Sequence, residues 1–101
     1  MYIFEQLGNN GDYEKLAAVT ATGFTASKLT NAAGFKCRAV QIKPEDYPVR
    51  VRMDGTDPTA AEGIQIDNGE MYTIVGTTNI ANFACIDTAA GASSIKVLYF
   101  F

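Results

Sequence analysis

Histidine is absent from this chain. That removes the commonest general base and, with it, every Ser–His or Cys–His nucleophile pair. Cysteine is nearly absent: Cys37 and Cys85 are the only two. One bridge between them is open, but two thiols do not make a disulfide framework. Their apolar settings, FKCRAVQI and NFACI, read as sites for small buried hydrophobes. With no His and two distant Cys, a structural zinc site is not expected. Positive charge is not in excess either. Eight Lys and Arg stand against eleven Asp and Glu, giving a net charge of −3 and a pI of about 4.7. A nucleic-acid binder needs a basic footprint, and none is here. No apolar run approaches the ~20 residues that span a bilayer, so no membrane partner is expected. The opening MYIFEQLGNN lacks the basic start and long apolar stretch of a secretory signal. GNNG and GTTN lack the strand–glycine–helix context of a phosphate loop. No cofactor is expected, and an enzyme is the remote reading.

What is present is a globular composition. The 101 residues suit one domain, 48% are hydrophobic and 19% charged. A chain of this length buries about 60–70% of the surface it exposes when unfolded. That supports one modest core rather than a large lidded cavity.

Short stretches of alternating apolar residues recur between turn signals, the pattern of an all-β protein: a small β-sandwich or jelly roll with short connecting turns. Residues 1–14 read as an N-terminal arm or a first strand, with Tyr2, Ile3 and Phe4 as an apolar hook before the breaker GNNGD. Residues 15–101 read as the β-sandwich domain. Leu16–Thr22 is expected to be a strand, and the rest of the stretch to Gly34 loop or short strand. Phe35–Lys43 is expected to be a strand ended by Pro44. VRVRM puts Val49, Val51 and Met53 on one face and Arg50 and Arg52 on the other. In GIQIDNGEMYTIVG, Asn68-Gly69 predicts a type I′ hairpin with Ile66 opposite Met71 and Ile64 opposite Thr73. That register also sets Asp67 opposite Glu70. Asn79–Ile86 reads as a further strand entered through a bend, and Asp87–Ser94 as a loop. The last strand, Ile95–Phe101, is apolar on both faces: Leu98 and Phe100 alternate with Ile95, Val97 and Tyr99. Both faces then need cover, and the second cover is expected to come from another chain.

The cluster MDGTDPTAAEG has a conformational explanation. Asp54-Gly55 turns the chain. Asp57 caps and Pro58 begins one helical turn over Thr59–Glu62, which Gly63 ends. Asp54 with Glu62 is a remote candidate for a glycosidase pair. Asp54, Asp57 and Glu62 do not have the spacing of a calcium loop. Tyr47, Tyr72 and Tyr99 could together offer an aromatic platform to a sugar. Arg50 and Arg52, two apart on a strand, project from one face; they either pair with surface acids or contact an acidic partner.

VRVRMDGTDPTAAEGIQIDNGEMYTIVGTTNIANFACI resembles a pattern common in small proteins of tailed bacteriophages. That pattern has a strand x-V-R-x-R-x-D-G-T-x-P-T, then G-x-x-[IL], a turn with G-[ED], a Y-x-I strand and N-I-A-N-F. It closes on an alternating strand, as IKVLYF does here. The resemblance runs from Val19 to Phe101, and MYIFEQLGNN departs from it. It implies a compact β-sandwich virion component of the capsid decoration, or cement, kind. Such a protein would be made in the bacterial host cytoplasm and sit on the capsid surface or at a neck or tail part. Its partner would be the major capsid protein or another virion protein, whose seams it bridges without catalysis or cofactor, and it would be a homo-oligomer. The residues expected at its contacts are Tyr2, Ile3, Phe4, Arg50, Arg52, Leu98 and Phe100. A local part, VRMDGTDPT, also resembles the strand-turn of chitobiase-type C-terminal β-sandwich modules. That implies the alternative of a carbohydrate- or cell-surface-binding module.

Overall fold

The computed structural model describes residues 10–88 and 93–101. The chain is all-β, with two antiparallel sheets in a sandwich-like arrangement. The first sheet has the order β1 (Asn10–Ala17), β7 (Ser94–Phe100), β2 (Ala39–Glu45), β5 (Tyr72–Val75). The second has β4 (Ile64–Ile66), β3 (Val49–Arg52), β6 (Ala84–Asp87). Helix α1 spans Thr77–Asn82, and a 3-10 turn spans Ala26–Lys28. Among the described residues no helix is long and apolar enough to cross a membrane.

Alternation along each strand builds the core. Val40, Ile42, Ile74, Ile95, Val97 and Tyr99 point inward from the first sheet; Val49, Val51, Ile66 and Cys85 point inward from the second. Each fully buried aliphatic side chain contributes about 1.5–3 kcal/mol. Phe24 closes one end. It stacks on Phe83 with centroids 4.2 Å apart and meets Tyr99 edge-on at 5.8 Å. Both cysteines are free and buried, as their apolar settings imply.

Four local readings change. First, β1 occupies Asn10–Ala17, upstream of the expected Leu16–Thr22 and across the expected boundary at residue 14. Residues 10–14 are thus part of the sheet, while the earlier part of the expected arm lies outside the described residues. Second, β2 begins at Ala39 and runs through Pro44, which pairs with Ile95. Even-numbered residues of β2 direct their backbone groups toward β5, since Gly76 donates to the Arg38 carbonyl and the bonded pairs alternate. β5 stops at Tyr72, opposite Ile42. The donor that proline lacks therefore faces a position with no strand, and its carbonyl accepts the Gly69 N–H at 2.9 Å.

Third, the hairpin register fails. Ile64 pairs with Val51 and Thr73 with Gln41, so β4 and β5 lie in different sheets. Asp67–Glu70 is still a turn, closed by the Glu70 N–H on the Asp67 carbonyl. Of its central residues only Gly69 has positive φ, at +83°, so type I′ geometry is excluded. β4 pairs with β3 in one sheet, and β5 pairs with the seven-residue β2 in the other. Fourth, TTNIAN is helical, and the strand begins only at Ala84. Ile80 and Phe83, three apart, both reach the core from this turn.

Candidate functional site

Arg50 and Arg52 leave the β3 face opposite Val49 and Val51, as their spacing requires. Both are engaged within their own loop. Arg50 donates from Nε to the Ala60 carbonyl at 3.1 Å and from a terminal nitrogen to the Gly63 carbonyl at 3.0 Å. Arg52 grips Asp54 with two nitrogens, its Nε at 3.1 Å. That pair holds the Asp54 carboxyl below its usual range and raises the guanidinium, chiefly through the side-chain hydrogen bond.

The loop that Arg50 fastens is not a helical turn. Thr59 and Glu62 exchange backbone bonds at 2.9 and 3.2 Å, making a tight turn over Ala60-Ala61. Pro58 is buried beneath it. Gly63 has φ +135°, and a Cβ there would sit 3.1 Å from the Val51 carbonyl oxygen and 3.3 Å from both Arg50 and Pro58. Only glycine lets the loop lie this close to β3.

Val51, Arg52, Asp54, Glu62 and Ile64 line a groove of about 390 Å³, open to solvent. Asp54 and Glu62 therefore do share a surface. Asp54 is bound to Arg52 and shifted down, the wrong direction for a general acid. Among the described residues, no group of three His, Cys, Asp or Glu is placed to hold a metal ion.

The tyrosines are not brought together as a platform. Tyr99 is fully buried and donates to Glu14, Tyr72 is half-buried, and Tyr47 is exposed. Burial, with the Glu14 hydrogen bond second, pushes the Tyr99 hydroxyl far up. Burial also pushes the Cys85 thiol up to about 12 and raises Cys37, so neither is a reactive thiolate.

Of the other expected contact residues, Tyr2, Ile3 and Phe4 lie outside the described residues. Phe100 is already enclosed within the single chain beside Ala39, and Leu98 packs half-buried against them. Sequence reasoning missed the large apolar side chains that remain on the surface: Phe35, Tyr47, Ile64, Met71 and Val75 among them. Phe35 precedes β2, in a turn where its carbonyl accepts the Asn31 N–H, and Ile64 lies on the edge strand β4, so neither exposure follows from alternation alone. It also missed a basic row on the outer face of the first sheet. Lys15 and Lys43 both stand directly opposite Lys96. No family model, curated protein or solved structure matches the chain.

Proposed function

We propose that the chain is a non-enzymatic virion structural protein of a tailed phage, a capsid decoration protein that bridges neighbouring capsid subunits and stabilises the shell. The observation that carries this reading is the placement of its apolar surface. The core is complete, yet Phe35 is 67% and Ile64 62% exposed, with Tyr47, Met71 and Val75 close behind. Exposed apolar side chains that gather on one face mark contact surfaces, and Met71, just before β5, shares one with Val75 at its end. The loop between β3 and β4 supports the same reading. Arg50 and Arg52 hydrogen-bond to it and Gly63 lets it lie against β3, and a loop tied down in this way loses less entropy on binding. The sequence pattern from Val49 to Ile86 adds the phage context.

The test is co-sedimentation of the purified chain with capsids that lack it. Binding is expected for the wild type and loss of binding for Phe35→Asp or Ile64→Asp, each with an unchanged urea midpoint. Saturable binding to a glycan array, with no binding to capsids, would instead favour a carbohydrate-binding module.

A further inference from the structure

The two sheets have four edges, and three of them are protected. On β1, the Asp12 carboxylate accepts the outward Tyr13 N–H at 2.8 Å, a bulge interrupts the pairing between Asn10 and Asp12, and Lys15 places a charge at the edge. β6 is covered by the chain at Ala18 and Thr22, which bonds to Asp87 and Cys85. β4 has three residues, and Arg50 and Glu70 occupy the backbone groups of Gly63 and Asp67 that flank it. Short strands, bulges, charge and cover are the ordinary ways to stop edges from pairing.

β5, four residues long, has no bulge and no charge, and its cover is limited to its last carbonyl. Met71–Val75 reads MYTIV, without charge or proline. Its bonds to β2 are made at Tyr72, Ile74 and Gly76, so the N–H and C=O of Thr73 and the N–H of Val75 face outward. Among the described residues, nothing pairs with them; only the Val75 carbonyl is contacted, by Asn79 Nδ2 at 3.0 Å. Met71 is 53% and Val75 58% exposed, and they lie two residues either side of Thr73 on one face.

We propose that β5 is a self-pairing edge: two copies of the chain join β5 to β5, antiparallel, about a two-fold axis at Thr73. The sequence meets the self-complementarity that such an axis demands. Thr73 meets Thr73 of the second copy, exchanging both backbone bonds. Val75 then falls opposite Met71, and each covers the other's exposed side chain. The Val75 carbonyl has a second lone pair for the new bond and keeps Asn79. Two four-stranded sheets become one of eight. A contact this short buries less than the ~1,000 Å² of a stable interface, so the dimer is weak and concentration-dependent. The inference rests on edge geometry and stands apart from the virion reading.

Sedimentation velocity on the full chain over a concentration series tests it. The wild type is expected to shift from monomer toward dimer as concentration rises. Thr73→Pro removes an outward N–H and no backbone bond to β2, though the lost hydroxyl no longer accepts from Gln41 at 3.4 Å. It should therefore match the urea midpoint of Thr73→Val, which loses the same side-chain bond, and stay monomeric. Val75→Lys keeps the ladder and should weaken association by about tenfold or more; it carries the test alone should Thr73→Pro not fold. A wild type that remains monomeric throughout, or a dimer that persists undiminished in Val75→Lys, would overturn the proposal.

Discussion

Tyr99 donates its hydroxyl hydrogen to Glu14 at 2.5 Å, diagonally across the β1–β7 pair on the inward face. Thr25 donates to the other carboxylate oxygen at 2.8 Å. A half-buried acid on a core-facing position is thereby satisfied from both sides, which ties the edge strand β1 to the centre of the sheet. Tyr99→Phe leaves the shape and removes one donor. It is expected to cost about 1.5–3 kcal/mol, the range for a hydrogen bond to a charged group. Urea unfolding measures this. A double-mutant cycle with Glu14→Ala should show coupling, and additive losses would mean the contact contributes nothing.

Burial of Cys85 and Tyr99 predicts alkaline lability. Both groups have folded-state pKa values raised above their ordinary 9.0 and 10.0, Cys85 to about 12. The folded chain therefore holds protons that the unfolded chain releases. Stability is full below about pH 9 and falls as pH rises from there toward the folded values, by about 1.4 kcal/mol per pH unit for each group. Denaturation midpoints between pH 8 and about 11 check the sign. Cys85→Ala, measured against its own midpoint at pH 8, should lose less on going to high pH, and an equal loss would remove Cys85 as a cause.

The turn at Gly69 yields a conformational prediction. Its φ of +83° is one that side chains with a Cβ adopt at a cost, and a Cβ there would meet nothing within 4 Å. Gly69→Val should therefore destabilise through the backbone alone, by about 1–3 kcal/mol. An unchanged melting temperature would show that the turn adopts another conformation.

The fate of that same turn shows where the sequence was informative. Asn68-Gly69 marked a reversal correctly, and alternation correctly separated Val49 and Val51, which are buried, from Arg50 and Arg52, while the hairpin register grouped buried Ile66 with Ile64 and Met71, which are exposed. Alternation says which face is buried, not which strand lies alongside. Ile64 and Thr73 flank a tight turn, yet Ile64 pairs with Val51 and Thr73 with Gln41 because the chain crosses the sandwich there. Pro44 misled for a related reason: a proline ends a strand only where its missing donor faces a partner. The engagement of Arg50 with the Ala60 and Gly63 carbonyls was equally hidden, since it depends on the shape of a loop whose turn type was misread. The exposure of Ile64 was not legible without the sheet order, and that of Phe35 not without knowing that β2 begins only at Ala39.

The lysine row on the outer face predicts a stabilising substitution. Lys96 stands between Lys15 and Lys43, and its one ion pair among the described residues, with Glu45 at 3.5 Å, is exposed and worth little. Lys96→Thr should raise stability by about 0.2–1 kcal/mol, since like charges directly opposite one another oppose pairing. Added salt should stabilise the wild type more than the variant, because screening weakens the repulsion. A destabilised variant would mean that the Glu45 contact outweighs the row.

Quantitative mass spectrometry of purified particles from a bacterial culture that produces this chain tests the proposed virion role most directly. A decoration protein that bridges capsid subunits must be present in numbers comparable to the major capsid protein, and that is the expected result. Absence of the chain from the particles, or a trace level unrelated to capsid copy number, would contradict the assignment.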